Sequence, residues 1–327
     1  MVRASLIWLN YNSSSFIDIA LRSIESALRL DFDDYEVIVV DNASGDGSFE
    51  KIKEFVEEKR PSSVRVKFVR SDANRGYAGG MNLGWEAKDP ETKYVAFLNN
   101  DLIVEPNSLR ELIDYMESDD KLAAVSGLVY LGNSKRIYSA GDYVTDHWIA
   151  GGVCGNGLEH ECPGISKPHY VTYAEGAYML VNAEIVRRAC PGGKPFIDEI
   201  FLYLDDALLG LMLWNKGYKT AYIPIKSGYH YANLTTKPVM NYYGLRANTA
   251  LIMLLDTRFS WIKPFYLLRR DLGYEVLCLF RDEYCRAHRS FLDGYNLAQI
   301  LRSKIGFKLD LHKAPYVKIG YLDFYLI

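Results

Sequence analysis

The sequence predicts an α/β fold, a mostly parallel central sheet with helices on both faces, followed by a mainly helical C-terminal extension. Three observations carry that prediction. Apolar, β-branched runs alternate with segments of helical apolar spacing through the first 130 residues. The connections between them are short, and from Tyr242 onward the spacing is mainly helical. Such alternation sets parallel strands beside one another under crossover helices. Ligands of such sheets bind at the carboxyl ends of the strands, so the residues that follow each strand matter most.

The elements read in order. Ala4–Leu9 is an apolar run with polar residues directly after it. Ile17, Ala20, Leu21, Ile24 and Leu28 then recur at the spacing of one helix face. Glu36–Val40 is continuous and β-branched, as a strand buried on both faces should be. Phe49, Ile52 and Val56 mark a second helix, and Val64–Val69 a third strand. After a glycine-rich turn, Gly79–Ala87 reads as a helix and Tyr94–Leu98 as a fourth strand. Pro106 suits the first turn of a helix whose stripe is Leu109, Leu112, Ile113 and Met116. Ala123–Leu131 supplies another strand. Residues 132–172 are rich in Gly and His and lack a period, which predicts an irregular insertion or a short β excursion. Regularity returns over Glu175–Val181 and continues to about His230. Leu245, Thr249, Ile252 and Leu255, then Leu268, Leu272, Val276 and Leu279, mark the helical tail.

Composition removes several classes. The 38 Lys and Arg against 41 Asp and Glu give a net charge of −3, which argues against a nucleic-acid-binding domain. No apolar run reaches the roughly 18 residues of a membrane-spanning helix. MVRASLIWLNYN runs straight into a strand without a cleavage pattern, so no signal peptide is expected. Five scattered cysteines predict a reducing compartment rather than a disulfide framework, hence a cytoplasmic protein. The small net charge hides an asymmetry. Residues 258–327 hold 12 Lys or Arg against 7 Asp or Glu, net +5, which leaves −8 for residues 1–257.

Four polar clusters follow expected strands. Asn10-Tyr11-Asn12 is the first, and Asp41-Asn42-Ala43-Ser44-Gly45-Asp46-Gly47-Ser48 the second. A carboxylate at a strand end can accept hydrogen bonds from a ribose or a base edge, yet the same residues suit a plain turn that caps the next helix. Ala43 occupies a ligand position of a calcium loop and rules that reading out. The third cluster is Asn74-Arg75-Gly76-Tyr77-Ala78-Gly79-Gly80-Met81-Asn82, where glycines, a helix start and a cation favour phosphate. Its spacing is neither GxGxxG nor a P-loop. Asn99-Asn100-Asp101 is the fourth; Asp101 suits a hard cation bridging to a diphosphate, or a helix-entry cap before Pro106. Later, Asp205 and Asp206 interrupt the apolar stretch FLYLDDALLGLMLW, where acids are costly to bury without a role. One of them can be a general base tuned by burial and by its neighbour. His230 stands in GYHY and gains meaning only in that company.

The ordered series NYN, DNASGDGS, NRGYAGGMN, FLNND, EGAYMLV, FLYLDDALLGLMLWNKGYK and GYHY, over about residues 3–232, resembles the family-2 nucleotide-sugar glycosyltransferases. The resemblance implies a GT-A (Rossmann-like) fold, inversion at the anomeric carbon and a divalent cation, Mn or Mg. It implies a nucleotide-sugar donor, a UDP-sugar first with dTDP- or GDP-sugar as alternatives, and a glycan or lipid-linked acceptor. Asp41 resembles the acid that holds the nucleoside; Arg75, Gly76 and Asn82 match the donor-binding turn, with Asn10, Tyr11, Asn12, Asn74 and Asn100 beside it. Asn99-Asn100-Asp101 stands at the family's Asp-x-Asp, so metal binding rests on Asp101, with Asn99 directed to the ribose, and His230 completes the metal site. Asp205-Asp206 stands at the usual Glu-Asp, with Asp206 as catalytic base. Where the family has Glu-Asp-x-Asp-Leu…Arg, this chain has Asp205-Asp206-Ala207-Leu208-Leu209…Met212, without the second Asp or the Arg. The Asp-Asp-Ala…His pattern is similar to that of galactofuranosyl- and rhamnosyl-type members. The implied division is a catalytic unit over 1–232, with a nucleotide half to about 131 and an acceptor half after it, and a helical unit over 233–327.

The insertion offers Trp148, with Glu175 and Gly176 beyond it, for the acceptor side. Cys154, His160 and Cys162 make a zinc site conceivable, though their spacing fits no standard finger. The tail RFSWIKPFYLLRRDLGYEVLCLFRDEYCRAHR reads two ways. It can lie on the cytoplasmic face of a membrane, with Trp261, Phe265 and Tyr266 near headgroups and Arg269 and Arg270 at phosphates. Equally it can pack on the body or on a second subunit, as in a homodimer. Two other activities stand against transfer: a sugar nucleotidyltransferase, and a nucleotide-sugar-binding homologue without turnover.

Overall fold

Alternating side chains explain the sheet. In β1 (Ala4–Asn10), Leu6 and Trp8 point to one face and Ile7 to the other, and all are fully buried. The computed structural model describes residues 2–152, 154–162, 164–232 and 234–319. After β1 the chain runs through α1 (Ile17–Leu28), β2 (Tyr35–Asp41), α2 (Ser48–Lys59), β3 (Arg65–Arg70), α3 (Gly76–Ala87) and β4 (Tyr94–Asn99). Then come β5 (Leu102–Val104), α4 (Ser108–Met116), β6 (Leu122–Leu131), β7 (Ile137–Ser139), β8 (Asp142–Val144), β9 (Ala150–Gly152), β10 (His169–Tyr170) and β11 (Tyr178–Asn182). The remainder is α5 (Ala183–Ala189), α6 (Asp205–Asn215), β12 (Lys219–His230), α7 (Met240–Leu254), β13 (Leu255–Asp256), α8 (Lys263–Cys278), α9 (Asp282–Ile305) and β14 (Leu309–Asp310).

The main sheet runs β10-β12-β6-β11-β4-β1-β2-β3. Its N-terminal half is parallel: β1 pairs in parallel with β2 and β4, and β2 with β3. Beyond β4 the expectation of a mostly parallel sheet needs refining. β11 lies antiparallel between β4 and β6, and β12 pairs parallel with β6 but antiparallel with β5 and β10. The sheet is mixed chiefly because β11 inserts antiparallel between β4 and β6, while β5 and, from the 132–172 insertion, β7 and β10 add short antiparallel pairings.

Helices α1, α2 and α4 cover one face, burying Ile24, Ile52 and Leu112 with Leu6 and Trp8. α3 covers the other, where Gly84 lets the helix sit on the strands; a Cβ there would meet Ile7 Cγ2 at 2.3 Å. α6, α7 and α9 extend that second core through Leu208, Leu251 and Leu297. The tail therefore packs on the body through α7 and α9, whereas α8 has no buried residue. Among the described residues no helix is long and apolar enough to cross a membrane.

The cysteine expectation is corrected. Cys154–Cys162 and Cys278–Cys285 are disulfides, and Cys190 is a buried free thiol. The odd total concealed two local pairs, so it gives no support to a reducing compartment, and the sulfurs of Cys154 and Cys162 are committed to each other rather than to zinc.

Candidate functional site

A cavity of about 630 Å³ opens at the carboxyl ends of the central strands. Tyr11, Asn74, Gly76, Asn99, Asn100 and Asp101 line one side, Glu175, Gly176, Asp205 and Asp206 the other, and His230 joins them. Most of the residues singled out from sequence thus meet in one place.

Asp101 and His230 are brought together by β-pairing rather than by a loop. His230 lies opposite Leu102 in the β5–β12 register, next to Asp101. His230 Nε2 stands 2.9 Å from Asp101 Oδ1, and Asn99 Nδ2 stands 3.5 Å from the same ring nitrogen. Burial by itself would raise the Asp101 pKa. The adjoining imidazole and the backbone amides of Leu234 and Asp101 outweigh burial and hold it below the ordinary value. His230 Nδ1 is buried without a hydrogen-bond partner. A carboxylate and an imidazole can both ligate a divalent cation, and in this structure the two are hydrogen-bonded to each other. Among the described residues no group of three His, Cys, Asp or Glu side chains could hold a metal. Asp101 and His230 would therefore leave most positions to phosphate and water.

The acids of α6 arrive on a strained approach. Phe201, Tyr203 and Leu204 all adopt positive φ, at 67°, 63° and 72°. Residues with side chains rarely hold this conformation without outside restraint. Arg246 of α7 supplies restraint, its guanidinium donating to the carbonyls of Ile200 (2.7 Å) and Glu199 (2.9 Å). Gly76 supplies more. Its φ is +68°, and a Cβ there would meet the Phe201 carbonyl oxygen at 2.0 Å. The donor-side turn and the acid-bearing loop are thereby pressed together.

Asp206 Oδ2 accepts from the Gly176 amide at 3.1 Å, and Oδ1 from the Ala207 amide at 2.7 Å. Burial raises its pKa, while these amides oppose the shift. Asp205 is raised well above the ordinary range by burial and by the Asp206 charge, and its Oδ1 has no partner. Glu175 is raised well above its ordinary value by burial, then by the charges of Asp142 and Asp206. Its oxygens accept from Ala177 N (2.8 Å) and Tyr138 Oη (3.3 Å).

The other candidates serve the scaffold in this structure. Asn10 is fully buried; its Nδ2 donates to Asp41 Oδ1 (3.0 Å), Ser44 Oγ (3.1 Å) and Ser48 Oγ (3.2 Å). Asp41 is equally buried, and its Oδ2 accepts from Ser44 N (3.1 Å) and lies 3.2 Å from Arg70 Nε. Asn12 holds the Gly45 amide, and Asn82 donates to Phe196 O and Asp198 Oδ1. Arg75 turns outward to Asp72. Trp148 is a correction: it is fully buried, 5.9 Å from the Tyr266 ring, and offers no face to a sugar.

Sequence reasoning missed Asp142, Tyr138 and Tyr173, all on the cavity wall. Asp142 is buried beside Ser139, which donates to it; burial and then the Asp206 charge bring its pKa to about 7.

Comparison with known proteins agrees with this geometry. The profile of glycosyl transferase family 2 matches residues 5–165. An uncharacterized glycosyltransferase of Nostoc sp. is 30% identical over 140 residues, 42% of this chain and 41% of its own length. The succinoglycan biosynthesis protein ExoO of Rhizobium meliloti is 32% identical over 132 residues, 39% of this chain and 35% of its own. The chain thus spans less than half the length of these relatives. Among solved structures, GalNAc-T7 with UDP, GalNAc and Mn2+ covers 93% of this chain and 58% of its own (TM-score 0.60, 12% identity). The mannosyltransferase PcManGT from Pyrobaculum calidifontis with GDP-Man and Mn2+ covers 92% and 86% (TM-score 0.53, 15% identity). At such identities the structures speak for the fold and the profile for the sequence. Residues 5–165 therefore match the glycosyl transferase family 2 profile, and the chain is similar in fold to GT-A-type α/β structures.

Proposed function

We propose that the chain is an inverting, metal-dependent glycosyltransferase that moves a sugar from a nucleoside-diphosphate sugar to a hydroxyl of a glycan or lipid-linked acceptor. The catalytic unit would be residues 1–232 and the supporting helical unit residues 233–327. The observation that carries this reading is the convergence of the Asp101–His230 pair and Asp206 on one cavity at the strand ends. That the two solved neighbours were captured with Mn2+ beside UDP or GDP-Man supports it.

Asp101 and His230 would hold the cation, which when bound offsets charge on the departing diphosphate. Asn74, Gly76 and Tyr11 line the donor side, where the start of α3 favours phosphate. Asp206, kept oriented by the Gly176 and Ala207 amides, takes the acceptor O–H proton. The freed oxygen forms a bond to the anomeric carbon as the bond from that carbon to the phosphate oxygen breaks. The electron pair leaves with the nucleoside diphosphate, and attack opposite the leaving group inverts the centre. Glu175, whose pKa burial and then the Asp142 and Asp206 charges raise, lines the same cavity on the acceptor side.

Calorimetry with a panel of nucleoside diphosphates, with and without Mn2+ or Mg2+, tests the donor site. Metal-dependent hydrolysis of a matching nucleotide sugar tests turnover. Tight nucleotide binding with no hydrolysis or transfer to any acceptor would favour a binding homologue instead.

A further inference from the structure

Outside the cavity, the least satisfied surface is the outer face of α8. Trp261, Phe265, Leu268, Leu272 and Val276 recur three or four residues apart, so they form one stripe. All are exposed, Trp261 at 66% and Phe265 at 70%. The apolar surface continues past the helix end, where Leu279 is 81% and Phe280 76% exposed. The Cys278–Cys285 disulfide closes the turn between α8 and α9 and fixes this tip. Monomeric proteins rarely expose a contiguous apolar patch of this kind without a partner.

We infer that this face docks on a lipid surface bearing anionic headgroups. Charge and shape both favour that occupant. Over α8 and the turn into α9, residues 261–289, 6 Lys or Arg stand against 4 Asp or Glu, a local net charge of +2. Arg269 beside the stripe, and Arg286 and Arg289 beyond the tip, are exposed and make no ion pair or hydrogen bond among the described residues. A plane of headgroups can meet the stripe and the exposed Leu279 and Phe280 of the tip together. Tryptophan and phenylalanine within a cationic rim are the composition of an interfacial helix. The surface is also coupled to the cavity. Arg270 of α8 donates at 3.1 Å to Asn248 Oδ1, and Asn248 lines the cavity wall. The inference stands whether or not the transferase reading does.

Co-sedimentation of the full chain with vesicles decides the matter, using phosphatidylcholine alone and phosphatidylcholine with phosphatidylglycerol at about 2:1. The expected result is binding to the mixed vesicles that weakens with salt. Phe265→Glu/Leu272→Glu should lower the bound fraction at least about tenfold, with unchanged circular dichroism. Arg286→Glu/Arg289→Glu should reduce binding to the anionic vesicles alone. Should the first pair fail to fold, Leu279→Ser/Phe280→Ser at the exposed tip serves the same purpose, and undiminished binding by it overturns the inference. So does a wild-type protein that stays in the supernatant. A dimer in light scattering that Phe265→Glu/Leu272→Glu dissociates, with no vesicle binding, would assign the face to a second copy instead.

Discussion

Two polar clusters, one at the ends of β1 and β2 and one around the cavity, differ in how they are finished. At β1 and β2, Asn10 and Asp41 are saturated by Ser44, Ser48, Arg70 and each other. Around the cavity, His230 Nδ1 and Asp205 Oδ1 are buried with no partner. Unsatisfied buried polar atoms cost about 1–3 kcal/mol each, so a protein keeps them where a ligand or a proton transfer uses them. The contrast sets the ends of β1 and β2, where every polar partner is supplied by the chain, against His230 of β12 and Asp205 of α6 at the cavity.

Four substitutions can break or sharpen that contrast. Asp206→Asn keeps the shape of α6 and removes the base; transfer should fall by about a thousandfold or more while nucleoside diphosphate affinity changes little. Transfer at the wild-type rate would take Asp206 out of the role. Asp101→Ala should weaken metal-dependent nucleoside diphosphate binding about a hundredfold in calorimetry, with metal-free binding hardly changed. Equal losses with and without metal would return Asp101 to the scaffold. Asn10→Ala should act the other way round. It strips a donor from buried Asp41, and we expect about 3 kcal/mol of lost stability in urea denaturation.

Asp142→Asn probes pH. Its carboxyl is raised from 3.8 to about 7 in the folded protein, so the folded state holds the proton more tightly than the unfolded chain. The associated stability is present below about pH 4 and is lost as pH rises toward 7. The asparagine variant should lose that slope and be more stable than the parent at pH 8, by about 4 kcal/mol. Parallel curves from pH 4 to 8 for the two proteins would show that Asp142 is not the group responsible.

The strands and helices up to Leu131 were legible because each had to bury apolar residues at one period, as Ile7, Val40 and Leu112 do. Asp101, Asp206 and His230 were singled out through their order along the chain, and the structure brings them to one cavity. What was not legible depends on long-range contacts. Nothing local distinguishes Asn10, which ties strand ends together, from Asn99, which faces the cavity. Trp148 looked available for a sugar because its burial comes from Tyr266 and Asn248, about a hundred residues later. Asp142 drew no notice because the aperiodic insertion acquires its register only on the edge of a finished sheet.

The loop before α6 has a consequence for the order of assembly. Phe201, Tyr203 and Leu204 would not keep their backbone angles unaided, and a clamp that holds them, Arg246, is synthesised later than the acids it steadies. On a ribosome, Asp205 and Asp206 would emerge unfixed and gain their positions only once α7 has docked. The fold thus has a built-in sequence of completion. The strands up to β6 precede α6 in the chain, and the Asp206 carboxylate is held in place only when α7 is present to steady its loop.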